Sequence, residues 1–298
     1  MLPARNGRGV VANAPDHFTR FAAIDWSGAK GWSHPGIALA VCEAGDAAPV
    51  IVDPPGKAWS RTEILEWLRA RADEPLLTGF DFSFSPPIIE RGAYLPGEDT
   101  PVTSRAFWAY VDAESPDMDL GAASFLESRR GRHFYLGAAD GPKAGFIHLR
   151  RSEMHYKAGG GHKPSSLYDA IGAAQVAKAS FAGMRLLHRL GAAIPVWPFD
   201  PAPEKGAMIV EIYTSIAARA AGKRKGLSKF RDGATLDVAL AAMGSKPHAP
   251  LVRYTDHATD AILTSAWLRA NARRADLWNP PDLTADIARR EGWTFGVV

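Results

Sequence analysis

The feature that most constrains this chain is an apolar run ending on an acid. Phe21-Ala22-Ala23-Ile24 leads into Asp25-Trp26-Ser27-Gly28-Ala29-Lys30, and a second run, Gly36-Ile37-Ala38-Leu39-Ala40-Val41-Cys42, follows about a hairpin's length later. The pattern predicts a first central strand, a loop and an antiparallel partner. A carboxylate at the end of a buried strand is costly unless it is paired or bound to a metal. In open α/β sheets, ligands sit at strand ends. Asp25 is therefore the anchor, and the question is which other acids can reach it.

The remaining pattern predicts a third strand over 49–52, closed by Asp53-Pro54-Pro55-Gly56, then a helix from Ser60 to about residue 72. Ser60 and Glu63 form an S-x-x-E capping box, and Ile64, Leu65, Trp67 and Leu68 mark the buried face. Leu76-Leu77-Thr78-Gly79-Phe80-Asp81-Phe82-Ser83 reads as another buried strand with an acid near its end. From residue 85 to about 165 prolines break the pattern, leaving short helices near 104–112 and 122–130; this reads as an insertion covering the sheet ends. One or two helices are expected over 165–190, strands over 194–199 and 208–213, and helices over 214–221, 234–243 and 256–272.

Composition sets few limits. With 298 residues, 46% hydrophobic, the chain can bury a substantial core. A net charge of +3 permits a polyanionic partner without requiring one. The single cysteine, Cys42, rules out an internal disulfide and a four-Cys zinc site. No H-E-x-x-H or G-x-S-x-G is present, which argues against zinc and serine hydrolysis. The first 15 residues lack the apolar core of a leader, and no later stretch is long and apolar enough to span a bilayer. A cytoplasmic protein with no membrane association is expected.

Five acids carry the candidate chemistry: Asp25, Asp81, Glu211 and the pair Asp256 and Asp260. The first three lie within or just after apolar strands, and the pair is spaced to share one helical face. Magnesium and similar hard cations take carboxylate oxygens, waters and substrate phosphate. Two-metal phosphodiester hydrolysis needs such acids to converge. Each acid also has an ordinary explanation. Asp25 can begin a turn, Asp81 can pair with an arginine, Glu211 can sit at a sheet edge, Asp256 can cap its helix, and Asp260 can gain from the helix dipole.

The stretches A-A-I-D-W-S-G (22–28), T-G-F-D-F-S (78–83), V-E-I-Y-T-S-I-A-A (210–218) and D-H-A-T-D-A-I-L-T-S-A-W (256–267) resemble the domain of unknown function 429 family. Residues 175–185 and Val196-Trp197-Pro198-Phe199 are similar to its middle blocks, so the resemblance runs from about 21 to 272. Its members are described as nucleases of the ribonuclease-H-like superfamily, an activity itself inferred. The resemblance implies an α/β fold with a ribonuclease-H-like mixed five-stranded sheet of order 3-2-1-4-5, strand 2 antiparallel, and helices on both faces. It further implies that Asp25, Asp81 and Asp260 bind Mg2+ or Mn2+. His257-x-x-Asp260-Ala261 is similar to the last acidic motif of Holliday-junction resolvases, which favours Asp260 over Asp256. Thr214 stands where the family commonly has proline.

The expected organisation is a flexible tail (1–18), one domain (19–275) with the insertion at about 86–165, and a C-terminal extension (276–298). The expected activity is metal-dependent hydrolysis of nucleic acid. Asp25 and Asp81 would bridge or hold two ions, Asp260 would complete the second site with Asp256 a further candidate ligand, and Glu211 would ligate or orient the attacking water. Substrate contacts are expected from Ser27, Lys30, Lys157, His162, Lys163, Lys178, Arg185 and His257. The densest basic clusters are Arg129-Arg130-Gly131-Arg132-His133 and Lys223-Arg224-Lys225 with Lys229 and Arg231, and the first can hold backbone phosphates. Trp108, Tyr110, Phe134 and Tyr135 are near the first cluster for base stacking. The rivals are an ATP-dependent phosphotransferase of the related sugar-kinase fold, for which no second acid-glycine-threonine turn is found, and a non-catalytic binding protein. Oligomeric state is open; related nucleases are often dimers, so a homodimer is allowed.

Overall fold

The computed structural model describes residues 14–161, 163–171, 176–223 and 229–298. Strands β1 (Arg20–Asp25), β2 (Ala38–Glu43) and β3 (Val50–Ile51) come first, followed by α1 (Arg61–Arg69) and β4 (Leu76–Phe80). Four helices then intervene before β5 (Met208–Glu211): α2 (Ser104–Ala113), α3 (Ala123–Glu127), α4 (Arg151–Ala158) and α5 (Val176–Leu190). The chain ends with α6 (Thr214–Ala220), α7 (Gly233–Ala242), α8 (Asp256–Asn271), α9 (Ala275–Trp278) and α10 (Ala285–Arg290). No helix among the described residues is long and apolar enough to cross a membrane.

The five strands form one open mixed sheet of order β3-β2-β1-β4-β5. β2 runs antiparallel to β1 and β3, while β1, β4 and β5 are parallel. Their register aligns Ile24 with Phe80 and Phe80 with Glu211. The period of two along each strand then sorts side chains to opposite faces. Ala22, Ile24, Phe80 and Ile209 enter a core shared with α1, α2 and α5. Phe21, Ala23, Leu77, Met208 and Val210 enter a second core, shared with α6, α7 and α8. Asp25 is in phase with Phe21 and Ala23, so β1 delivers it to the α8 face.

Local chemistry explains where the helices start. The Ser60 hydroxyl accepts the Glu63 N–H at 3.0 Å, and the Glu63 carboxylate accepts the Ser60 N–H at 2.7 Å, closing the box that begins α1. α8 starts on Thr255, whose hydroxyl accepts the Ala258 N–H, so Asp256 is the first helical residue rather than the cap. Gly79 lets α8 approach the sheet closely: a Cβ there would lie 2.9 Å from Leu268 Cδ1 and Ile212 Cδ1.

Three expectations about organisation change. Residues 194–199 contribute only a bridge, Val196 to Ile209, and no strand. Both ends of the described chain belong to the core. Phe18 is buried, and the His17 ring is 3.0 Å from the Gly206 carbonyl. At the other end, Trp278, Trp293 and Phe295 pack into the α8-side core, and Thr294 bridges to Glu211. The segment 276–298 completes this core and is not an appendage. Residues 1–13 lie outside the described residues.

Candidate active site

Asp25 ends β1, Asp81 follows β4, and Asp260 lies one turn inside α8. Parallel pairing places the first two at the same end of adjacent strands, with the Asp81 N–H donating to the Ile24 carbonyl at 3.0 Å. Leu77 and Gly79 turn to the α8 side, and Asp81 continues their phase. The close approach of α8 at Gly79 brings Asp260 to both acids.

The electrostatics record that convergence. Burial, followed by the charges of Asp25 and Asp260, pushes the Asp81 carboxyl up to about 8. Burial is also the largest cause for Asp260, raised to about 6; Lys229 opposes the rise and Asp25 adds to it. Thr214 donates its hydroxyl to Asp81 at 3.2 Å, which ties the start of α6 to the cluster. The His257 ring nitrogen Nδ1 is 3.2 Å from Asp25 Oδ2, and that hydrogen bond raises the imidazole above its ordinary value.

The cation seated in the cluster is an ammonium. Lys229 Nζ lies 3.0 Å from Asp260 and 3.6 Å from Asp256, while Arg231 pairs with Asp256 at 2.9 Å. Burial works against the Lys229 charge, yet Asp260, Asp256 and Asp25 outweigh it and raise the ammonium's pKa. Lys229 and Arg231, part of the second basic cluster, neutralise acids here. Arg224 and Lys225 lie outside the described residues. The three acids offer only carboxylate oxygens, which is the donor chemistry of a hard divalent cation. Their spacing is not closed for one. Among the described residues, no group of three or more His, Cys, Asp or Glu side chains stands where it could hold a metal ion.

Glu211 belongs elsewhere. It is in register with Phe80, so the strand's phase turns it away from α8, and Ile212 follows on the acid side. Its carboxylate is fully buried, pairs with Arg150, and accepts from the Phe84 N–H at 2.7 Å and the Thr294 hydroxyl at 2.6 Å. Arg150 also holds Glu153 at 2.9 Å. All four partners are sealed from solvent, so Glu211 is a structural counter-ion with no route to orient a water at Asp25. Asp256, engaged by Lys229 and Arg231, stands at the edge of the cluster.

The expected substrate contacts separate in the same way. Ser27 and His257 border Asp25: a Cβ on Gly36 would meet the Ser27 hydroxyl at 3.4 Å and His257 Nε2 at 3.5 Å. Lys178 lies against Gly28, and Lys30 pairs on the surface with Glu127 at 2.9 Å. Lys163 shares a cavity of about 200 Å³ with Asp81, Tyr156, Tyr213 and Thr214. Lys157 lines a different cavity, of about 590 Å³, with Arg91 and His148 and none of the three acids. Arg185 is buried on Asp112 at 3.0 Å and cannot meet substrate. His162 lies outside the described residues. The Arg129 cluster is spent internally, with Arg129, Arg132 and His133 all on Glu98. Trp108 and Phe134 are buried core, not stacking surfaces.

No family model matches this chain, and no curated protein or solved structure does.

Proposed function

We propose that this protein is a metal-dependent phosphodiester hydrolase acting on nucleic acid, with Asp25, Asp81 and Asp260 as the Mg2+ or Mn2+ ligands of a ribonuclease-H-like fold. One observation carries the reading: three carboxylates from two parallel strand ends and one helix converge on the same face, and two have their proton affinity raised by burial and by neighbouring carboxylates, Asp25 acting on both. A protein gains nothing in stability from such crowding, and shifted carboxyls of this kind cluster at functional sites. The resemblance of the surrounding motifs to the domain of unknown function 429 family supports the same reading. A bound divalent ion would supply charge neutralisation at the phosphate and a water of lowered pKa. The chain's own groups then have definite tasks. Thr214 fixes the Asp81 carboxyl, His257 orients Asp25 and carries a proton beside it, and Lys229 balances the acids in the metal-free protein.

The Lys229 contact favours a second reading as well, a binding protein whose cation site is permanently filled by its own lysine. One experiment separates them: thermal unfolding of wild type, Asp25→Asn and Lys229→Met in Mg2+, Mn2+ and EDTA. On the hydrolase reading, Asp25→Asn is stabilised in EDTA because a like charge is gone, and it loses the metal-induced rise. Wild type should gain about 2.7 kcal/mol at a metal concentration 100-fold above Kd. Lys229→Met should respond at lower metal concentration than wild type. An unchanged wild-type melting curve in both metals, with Lys229→Met equally unresponsive, would leave only the binding protein.

A further inference from the structure

We propose that Trp32 is a stacking platform for an unpaired base, so that the substrate of the proposed hydrolase is single-stranded at the site. This inference rests on the nucleic-acid reading above and adds the form of nucleic acid that the site takes. Trp32 is 62% exposed, whereas the other exposed large apolar side chains among the described residues are aliphatic or methionine. It sits on the loop that leaves β1 at Asp25 and returns at Gly36, next to His257 and Ser27. Trp32 lies five positions after Ser27, a reach of at most about 18 Å. The indole is therefore within a few nucleotides of the acids.

The loop holds this ring on a rigid base. Arg61 is fully buried, and its guanidinium donates to the carbonyls of Ser27, at 2.9 Å, and Ala29. Asp119 accepts from the Arg61 N–H at 2.9 Å and contacts the His34 ring at 2.8 Å. The His34 N–H in turn donates to the Trp59 carbonyl at 2.8 Å. Both arms of the loop are thus tied to the core while the residue between them faces water. Presentation on a pre-ordered loop lowers the ordering cost of binding.

The immediate neighbours select the partner. Its neighbours along the loop, Lys30, Gly31, Ser33 and Pro35, are exposed and none is a large apolar residue, so the loop itself adds to Trp32 no apolar rim of the kind that a protein interface buries at its centre. A base needs only one ring face, and stacking on aromatic side chains is indifferent to sequence. Lys30 on the loop, held on the surface by Glu127, and Lys178 beside Gly28 are cations near enough to meet the strand's phosphates. Bases inside a duplex are already stacked and paired, so they cannot use the platform.

The test is fluorescence anisotropy with a labelled mixed-sequence oligonucleotide, single-stranded and as a blunt duplex, in magnesium, calcium and EDTA. Trp32→Ala should weaken single-strand binding about tenfold, Trp32→Phe should retain most of it, and duplex binding should not change. Equal single-strand affinity for wild type and Trp32→Ala would overturn the platform and leave the hydrolase reading standing. If wild type bound neither oligonucleotide under any of the three conditions, both would fall together.

Discussion

At the residue scale, proton affinity divides the acids by role. Asp81 and Asp260 hold protons above the ordinary carboxylate range, Asp81 to about 8. An unfolded aspartate titrates at 3.8, so between 3.8 and about 8 the native state carries the extra proton. Stability contributed by Asp81 is therefore complete below 3.8 and lost as pH rises through about 8. In EDTA, the melting temperature of Asp81→Asn should fall less steeply than that of wild type across this window, and the variant should be the more stable of the two at its alkaline end. Parallel pH profiles from scanning calorimetry check this. Identical slopes would mean that Asp81 is ionised and satisfied in the native protein. The same cluster explains why the basic residues mislead when read along the chain. Lys229 reads along the chain as one of a run of cations, but it faces Asp260. Trp32 carries no neighbouring motif at all, and only its exposure on an anchored loop distinguishes it.

At the element scale, β5 shows how one register decides between chemistry and structure. Glu211 and Asp81 occupy similar places in their apolar runs, yet Phe80, and not Asp81, is the register partner of Glu211. The carboxylate consequently enters the opposite face, where Arg150 from the start of α4 and Thr294 from the C-terminal segment close around it. This network joins three distant parts of the chain. Removing one member of a buried pair leaves the other charge without its partner. Glu211→Gln should lower stability by roughly 3 kcal/mol in urea unfolding while leaving the metal-dependent rise in melting temperature intact. Loss of that rise without loss of stability would restore Glu211 to the site. Arg150 is also the group that most changes the picture of the insertion. Residues 86–165 supply the counter-ion of a core strand and pack α2 on α5, so they are part of the sheet's support.

At the scale of the whole molecule, the sheet is closed on one side by the chain's last residues. Trp278 and Phe295 pack against Trp197, Phe295 also meets Trp267 of α8, Trp293 is buried in the same core, and the Phe295 N–H donates to the Glu211 carbonyl at 2.8 Å. Truncation after residue 275 should thus prevent folding; far-UV circular dichroism with a cooperative melt would show otherwise. Local sequence determined a great deal here. Strand phase, the capping box at Ser60 and the apolar runs located all five strands and most helices, because these depend on neighbours within a few residues. The acids at 25, 81 and 260 were likewise legible, since a carboxylate closing an apolar strand or lying inside a helix is conspicuous by its cost. Three matters were settled only in three dimensions: the turning of Glu211 to the far face, the seating of Lys229 among the acids, and the burial of the C-terminal tryptophans. Each depends on register or on contact between residues tens to hundreds of positions apart, and the period of a single strand or helix contains no information about its partner.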